Sequence, residues 1–405
     1  MDSPAARART LLEANSRRAE HDGRALRFTL PAPVSYPFQW FWDSCFHAIV
    51  WTHFDRERAA DELRSLLAWQ RPNGFVPHVV FWDQCRLSVR AAWHHLESRG
   101  IPWLRDPVTS EHLQPPVLAR AVERIGGAFA REALPQVAAF YRYVARERDP
   151  DGDGLASLIA QFESGLDFSP VYNEGHDSIA GIYGISRAHE LVNKLLGFDA
   201  ARIARLTDHH QEDVLFNAIY GDGLRALARL AGDDDELARW ANERAERVTA
   251  ALLERAWDPQ SGLFRNLVGR SERRTRTETI HGLMPLLLED LPKDVAARLV
   301  ERLTDQRAFW TPWPVASVAR SEPTFNRTSH IHGVRFIWRG PASMNTNWFL
   351  VHGLRRHGYD DVADELAARS LELVERSGFN EFYDPLDGSP VGAADFGWAT
   401  LAIDF

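Results

Sequence analysis

Residues 56–70 read R-E-R-A-A-D-E-L-R-S-L-L-A-W-Q, and the spacing of their apolar members is helical. Ala59, Leu63, Leu66, Leu67 and Gln70 recur at i, i+4, i+7, i+8 and i+11, an apolar stripe with a polar end. Working outward, similar stripes occupy 4–21, 43–53, 84–98, 114–125, 130–147, 177–196, 211–231, 235–256, 293–305, 343–356, 361–376 and 392–403. Together they predict about thirteen helices. Strand-like alternation is confined to 26–30, 263–268 and 334–338. Some connections are short and punctuated by Gly74, Gly100 or Gly358. Others (31–42, 71–83, 159–176, 308–342, 378–391) are long and rich in Trp, Pro and Asp. This alternation predicts an all-α protein of paired helices closed into a ring, with the long loops gathered on one side and carrying function. No linker or low-complexity run interrupts it, so residues 1–405 are expected to form a single domain.

The chain has 405 residues, 45% hydrophobic and 25% charged, enough for a large core. A formal net charge of -9 argues against nucleic acid as a partner. The N-terminus lacks an apolar signal region, and no apolar run reaches membrane-spanning length. Two cysteines, Cys45 and Cys85, give no disulfide framework and suit a reducing cytoplasm.

Fourteen Trp stand against three Met, and the aromatics gather around acids. Residues 36–47, Y-P-F-Q-W-F-W-D-S-C-F-H, crowd around Asp43; Trp338-Arg339-Gly340-Pro341 lies near Asn345 and Trp348; Trp398 follows Asp395. A sugar has a polar edge and an apolar face, so a site that holds one needs flat rings beside a carboxylate that accepts hydroxyl hydrogen bonds. The plainer reading is that these rings fill a core and that Asp43 caps a helix beginning at Ser44.

Two further acids stand in aromatic loops. Asp167 lies in F-E-S-G-L-D-F-S-P-V-Y-N (162–173), where Gly165 and Pro170 break any helix. An aspartate between apolar neighbours in a buried loop has its charged form disfavoured, which suits a general acid. Its plainer role is to cap the helix starting near Asp177 or to close a turn. Glu381 lies in S-G-F-N-E-F-Y-D-P-L-D-G (377–388), in the loop after a helix ended by Gly378; its plainer role is that of a solvated glutamate. Two such carboxylates in one ring are what glycoside hydrolysis requires.

Asp149-Pro150-Asp151-Gly152-Asp153-Gly154 starts like a calcium loop, but Ala160 stands where the bidentate glutamate belongs, so it reads as an interhelical turn. The histidines, among them His94-His95, His209-His210, His330 and His332, lie on no zinc scaffold. G-I-Y-G-I-S (181–186) sits inside a helical stretch and is no serine-hydrolase elbow. No phosphate- or dinucleotide-binding fingerprint is present, so neither metal nor cofactor is expected. The basic run of Arg265, Arg270, Arg273, Arg274 and Arg276 reads as a solvated face or a steering patch for an anionic substrate.

Together these motifs resemble glycoside hydrolase family 63, especially its compact bacterial members acting on mannosylglycerate and glucosylglycerate, and more distantly trehalase of family 37. F-W-D-S-C-F-H (41–47), W-Q-R-P-N-G-F-V-P-H (69–78), E-S-G-L-D-F-S-P (163–170), W-R-G-P (338–341) with Asn347-Trp348, and N-E-F-Y-D-P (380–385) with F-G-W (396–398) carry the likeness over most of the chain. The resemblance implies an (α/α)6 barrel with Asp167 as general acid and Glu381 as general base. It further implies that Tyr36, Trp40, Trp42 and Asp43 hold the non-reducing sugar, that Gln114, Trp338, Arg339 and Gly340 line the same pocket, and that Asn73, His78, Tyr172 and Trp398 join it. Phe168 departs from the compact members and looks more like trehalase. The stretch 202–212, with Arg202, Arg205, His209 and His210, is where a cation for glycerate is sought, without a motif match.

The expected protein is therefore a cytoplasmic, cofactor-free, exo-acting inverting α-glycosidase of a small α-glucoside or α-mannoside, with glucosylglycerate and mannosylglycerate as candidates. The alternatives are an α-glucosidase or trehalase-like enzyme acting on a neutral disaccharide, and a non-catalytic carbohydrate-binding barrel.

Overall fold

The computed structural model describes residues 3–82 and 109–405. The expected helix over 84–98, with Cys85 and the pair His94-His95, lies outside the described residues, as does Gly100. Twelve α-helices are described: α1 Pro4–Asn15, α2 Phe41–Trp51, α3 Arg56–Leu67, α4 Leu118–Ile125, α5 Gly127–Glu147, α6 Ile179–Leu195, α7 Ala200–Leu206, α8 Val214–Ala231, α9 Asp235–Ala251, α10 Lys293–Thr304, α11 Met344–Arg356 and α12 Asp360–Ser377. Two 3-10 segments, Ile280–Leu287 and Gly397–Ile403, matter as much.

Packing places these elements in two layers. α2, α4, α8, Ile280–Leu287, α11 and Gly397–Ile403 each pack against the next, and the last returns to α2. Outside them, α3 covers α2, α5 covers α4, α9 covers α8, α10 covers Ile280–Leu287, α12 covers α11, and α1 covers Gly397–Ile403. The sequences fit the layers. Every residue of α2 is buried, the polar Asp43, Ser44 and His47 included, whereas α3 buries the stripe of Ala59, Leu63, Leu66 and Leu67 and turns Arg64 outward. Asp55 and Asp213 cap α3 and α8 with side-chain bonds to Arg58 N and Phe216 N. Strands are short and lie in small antiparallel sheets; none closes on itself among the described residues. Among those residues no helix is long and apolar enough to cross a membrane.

Several expected boundaries move. The stripe over 4–21 is a helix only to Asn15; Ser16–His21 then pairs with Arg24–Thr29. Asp22-Gly23 dictates this, both residues having positive φ, as a two-residue hairpin turn needs. The expected helix over 392–403 splits into the strand Pro390–Ala394 and the 3-10 segment from Gly397. Ile280–Leu287, outside the expected set, is apolar but for His281 and contains Pro285, so it has no polar face to give a period. α7 was also missed. α2 starts at Phe41, two residues earlier than its stripe.

Candidate active site

Glu381 sits on the strand Asn380–Tyr383, not in an irregular loop. Gly378 ends α12 with φ +79°, as expected of a C-cap. The strand pairs with Pro390–Ala394, and its register slips between Asn380 and Phe382, a bulge that re-aims the residue between them. The Glu381 side chain is 1% exposed and fully engaged, so the solvated-glutamate reading fails. Its Oε1 accepts from the Tyr36 hydroxyl at 2.6 Å; its Oε2 accepts from Arg335 Nη2 at 2.5 Å and from the Ala393 N–H at 2.8 Å. A Cβ at Gly392 would stand 2.5 Å from Oε2, so only glycine lets this backbone come so close.

Asp167 stands between the short turns Gln161–Ser164 and Pro170–Tyr172 and is partly buried. Three contacts shape its loop. A Cβ at Gly165 would stand 2.5 Å from the Trp42 ring, so glycine lets the loop lie on that indole. Buried Arg339 donates to the Phe168 carbonyl at 3.0 Å and to Asn173 Oδ1 at 3.1 Å. Glu163 is held by Arg148 through bonds of 2.8 and 2.6 Å and accepts from Leu113 N and Ile159 N, which leaves it a supporting role.

Tyr36 is bonded to Glu381 and lies near enough to Asp167 to feel its charge. Burial and the Glu381 charge push its phenol well above the usual range, and the Asp167 charge adds to the effect. Asp167 also acts on Tyr172, whose hydroxyl donates to Asp213 Oδ2 at 2.6 Å and lies 3.2 Å from His281 Nε2.

Indole and phenyl rings wall this centre. Trp398 meets Trp42 edge-on at 5.7 Å, Trp338 at 6.0 Å and Phe396 at 4.4 Å; its indole N–H donates to the Glu381 carbonyl. Trp40 lies 6.0 Å from Tyr36 and 5.3 Å from His78. Asp43 is not the N-cap of a helix from Ser44. Trp40 occupies the N-cap of α2 without a side-chain bond, and Asp43 lies inside the first turn, 2% exposed, its Oδ1 without a hydrogen-bond partner. Burial, and then the charge of Glu381, push its carboxyl well above the usual range.

The remaining expected residues divide. Gln114 is buried and accepts from Trp42 N at 3.0 Å, supplying the cap that α2 lacks. His78 is buried on Ser110 beside Trp40. Gly340 is a backbone device, since a Cβ there would lie 2.5 Å from the Asn326 carbonyl. Asn73 stays apart: it is exposed, closes its own turn through Phe75 N, and accepts on its carbonyl from Arg146 of α5. The 202–212 stretch brings no buried cation. Arg202 and Arg205 are exposed on α7, and His209, stacked on His189, is pushed down to about 4, first by burial. The basic run is mostly paired: Arg265 with Glu278, Arg270 with Asp208 and Arg273 with Glu174. Arg335 was not singled out from sequence; a lone arginine in the alternating stretch 334–338 gives no sign that it faces Glu381.

Acids walled by indole rings inside a helical ring form equipment for handling sugars, and comparison with known proteins places the chain among enzymes that do so. It belongs to the mannosylglycerate hydrolase MGH1-like glycoside hydrolase domain family, whose model matches residues 36–399. Mannosylglycerate hydrolase of Thermus thermophilus is 30% identical over 97% of this chain and 98% of its own. Glucosylglycerate hydrolase of Mycolicibacterium hassiacum is 26% identical over 93% of each. Crystal structures of a GH63 mannosylglycerate hydrolase from Thermus thermophilus superpose with TM-score 0.83. One is a complex with glucose (31% identity, 99% of both chains); the other is a complex with Tris and D-glycerate (29% identity, 99% of this chain and 98% of that one). Neutral trehalase of Saccharomyces cerevisiae shares the fold at 17% identity, with TM-score 0.60 over 98% of this chain and 78% of its own.

Proposed function

We propose that this glycoside hydrolase is an exo-acting, inverting α-glycosidase that releases one terminal glucose or mannose from a glycerate aglycone, working from a single (α/α)6 barrel over residues 1–405. The observation that carries the reading is the held carboxylate: buried Glu381 accepts from Tyr36, Arg335 and the Ala393 N–H beside a wall of Trp42, Trp338 and Trp398. Asp167 protonates the glycosidic oxygen as the bond to the anomeric carbon breaks. Glu381 takes a proton from a water that attacks the opposite face of the sugar. Inverting sites hold the two carboxyls roughly 6.5–9.5 Å apart to admit that water. Tyr36 and Arg335 keep Glu381 oriented, and Arg339 keeps the acid's loop in place. Asp43, with a free buried oxygen, accepts sugar hydroxyls. A non-catalytic binding barrel would have no use for two carboxylates supported in this way.

The absence of a buried cation from 202–212 favours a second reading, a neutral disaccharide as substrate. Arg335 does not rescue the first: it sits on the base, and the aglycone departs on the acid's side. Incubation with glucosylglycerate, mannosylglycerate, trehalose, kojibiose and maltose separates the two. Fastest release from a glycerate glycoside is expected. Turnover confined to the neutral disaccharides would replace the first reading with the second.

A further inference from the structure

At the far mouth of the ring lies a second cavity of about 560 Å³, well within the size range of small-molecule sites. Four inner elements run to it from the site of Glu381. α2 begins at Phe41 beside Trp42 and Asp43; α4 follows Gln114, which is bonded to Trp42. α11 follows Ser343, whose hydroxyl donates to the Glu381 carbonyl at 3.2 Å, and Gly397–Ile403 begins beside Trp398. Their later residues line the cavity, among them Thr52, Arg120 and Arg124, Trp348 and His352, and Asp404. About ten residues of helix separate Trp42 from Thr52, or roughly 15 Å, so the two hollows are distinct.

The charges of this cavity do not cancel. Arg56, Arg120 and Arg124 line it together with two acids, Glu123 and Asp404, and both acids are engaged. Glu123 accepts from Arg229 through both oxygens. Asp404 accepts from Arg124 at 2.5 Å and from the Trp348 indole at 3.0 Å, and lies 2.6 Å from His53. Helix C-termini bring partial negative charge to this end, and a cation here is ordinarily spent on them. Arg56 is, for it donates to the Ile125 carbonyl at 2.7 Å. Arg120 is not. It stands in the first turn of α4, partly buried, 5.8 Å over the Trp348 ring. Among the described residues it donates no hydrogen bond, and the acid it pairs with at 3.3 Å, Asp222, is already held by Arg356 at 2.8 Å. His352 Nε2 is buried without a hydrogen-bond partner, and its ring is pushed down to about 4, first by burial and then by the Arg120 charge.

We propose that this cavity is a second binding site, for a small oxyanion bearing a carboxylate or phosphate, held by Arg120 from the floor and by Arg124 and Arg56 from the rim. A guanidinium presents parallel N–H donors that match two oxygens of either group, and a partly buried one does so with little competition from water. The ion joins α3, α4 and α11 at the mouth opposite the acids.

The test titrates sodium phosphate and sodium malonate separately into the full chain by calorimetry, with sodium chloride at equal ionic strength as the control, and follows thermal melting. One anion per chain is expected, bound more weakly as salt is raised, with Tm up by roughly 3–5 °C at saturation. Uptake of phosphate alone assigns the site to a phosphoryl group, and uptake of malonate alone to a carboxylate. Arg120→Met should weaken binding at least about tenfold. Arg124→Gln, at an exposed position where His53 and Trp348 still hold Asp404, should also weaken it with the anion-free Tm little changed, and it decides the matter where Arg120→Met fails to fold. Wild type that takes up neither anion at millimolar concentration overturns the proposal. Binding of wild-type strength in either folded variant overturns it as well, because the anion is then held elsewhere. Neither readout depends on the substrate or on turnover.

Discussion

The Tyr36 hydroxyl donates to Oε1 of Glu381 at 2.6 Å and joins the first long loop to a strand 345 residues further along. A carboxylate that accepts from a phenol, a guanidinium and a backbone N–H has one orientation available. A base that must deliver its charge to one water needs that constraint. Tyr36→Phe keeps the ring and its edge contact with Phe396 while deleting one hydrogen bond to a charged group, worth roughly 1.5–3 kcal/mol. A 10- to 100-fold drop in kcat is expected, with Tm lowered by no more than a few degrees. Full activity would show that the phenol does not orient Glu381.

Asp167→Asn and Glu381→Gln should each lower kcat by roughly 10²–10⁴-fold with folding intact. Proton NMR of the first-formed sugar should show the β-anomer from an α-glycoside. The α-anomer would mean retention and would remove Glu381 from its role as base.

Asp43 offers a clean separation of roles because α2 is capped without it. Asp43→Ala should cost at least about 10²-fold in kcat/KM, since sugar hydroxyls lose a buried acceptor. Asp43→Asn keeps the shape and one acceptor and should fall between the two. An Asp43→Asn enzyme with wild-type kcat/KM would rule out a charge-assisted contact with the substrate.

Arg339 supports the acid without reaching the substrate in this reading. Arg339→Met leaves the Phe168 carbonyl and Asn173 without their donor, at a cost of about 1–3 kcal/mol. The expected result is a lower Tm together with a fall in kcat that exceeds any change in KM. A lower Tm with unaltered kcat would confine Arg339 to the scaffold.

His47 predicts how stability responds to acid. It is fully buried, and its pKa is pushed down to about 3, first by burial and then by the charge of Arg58. An unfolded histidine titrates near 6.5. Above that pH both states are neutral and the contribution is constant. Between about 6.5 and about 3 the unfolded chain binds a proton that the native state refuses, so stability falls with falling pH by about 1.4 kcal/mol per pH unit. Urea midpoints from pH 7.5 to pH 5 should fall less steeply for His47→Gln than for wild type. Parallel curves would remove His47 as a source of the slope.

Legibility of the sequence followed the type of signal. Amphipathic periods gave α3, α5, α9, α10 and α12, because each turns one face to water and one to the ring. Ile280–Leu287 had no such contrast and was missed although it completes the inner layer. The stripe over 4–21 runs on into a hairpin because a helical period does not register the Asp22-Gly23 turn that ends it. Among the site residues, the aromatic-acid pairing drew attention to Trp42, Asp43, Trp338 and Trp398, all of which meet at one centre. Arg335 carried no local mark, and Asn73, matched by motif, stays on the outside.

The chain by itself determined the helical ring and the acids worth testing, because periodicity and clustered aromatics are properties of neighbours along the sequence; its short motifs carried the resemblance to the family. Tertiary structure alone decided what each acid faces. Glu163 meets Arg148, Glu381 meets Tyr36 and Arg335, and Asp43 keeps a bare oxygen. A carboxylate's role is set by its burial and by the charges and donors around it. In a closed ring those neighbours come from segments far apart in the chain.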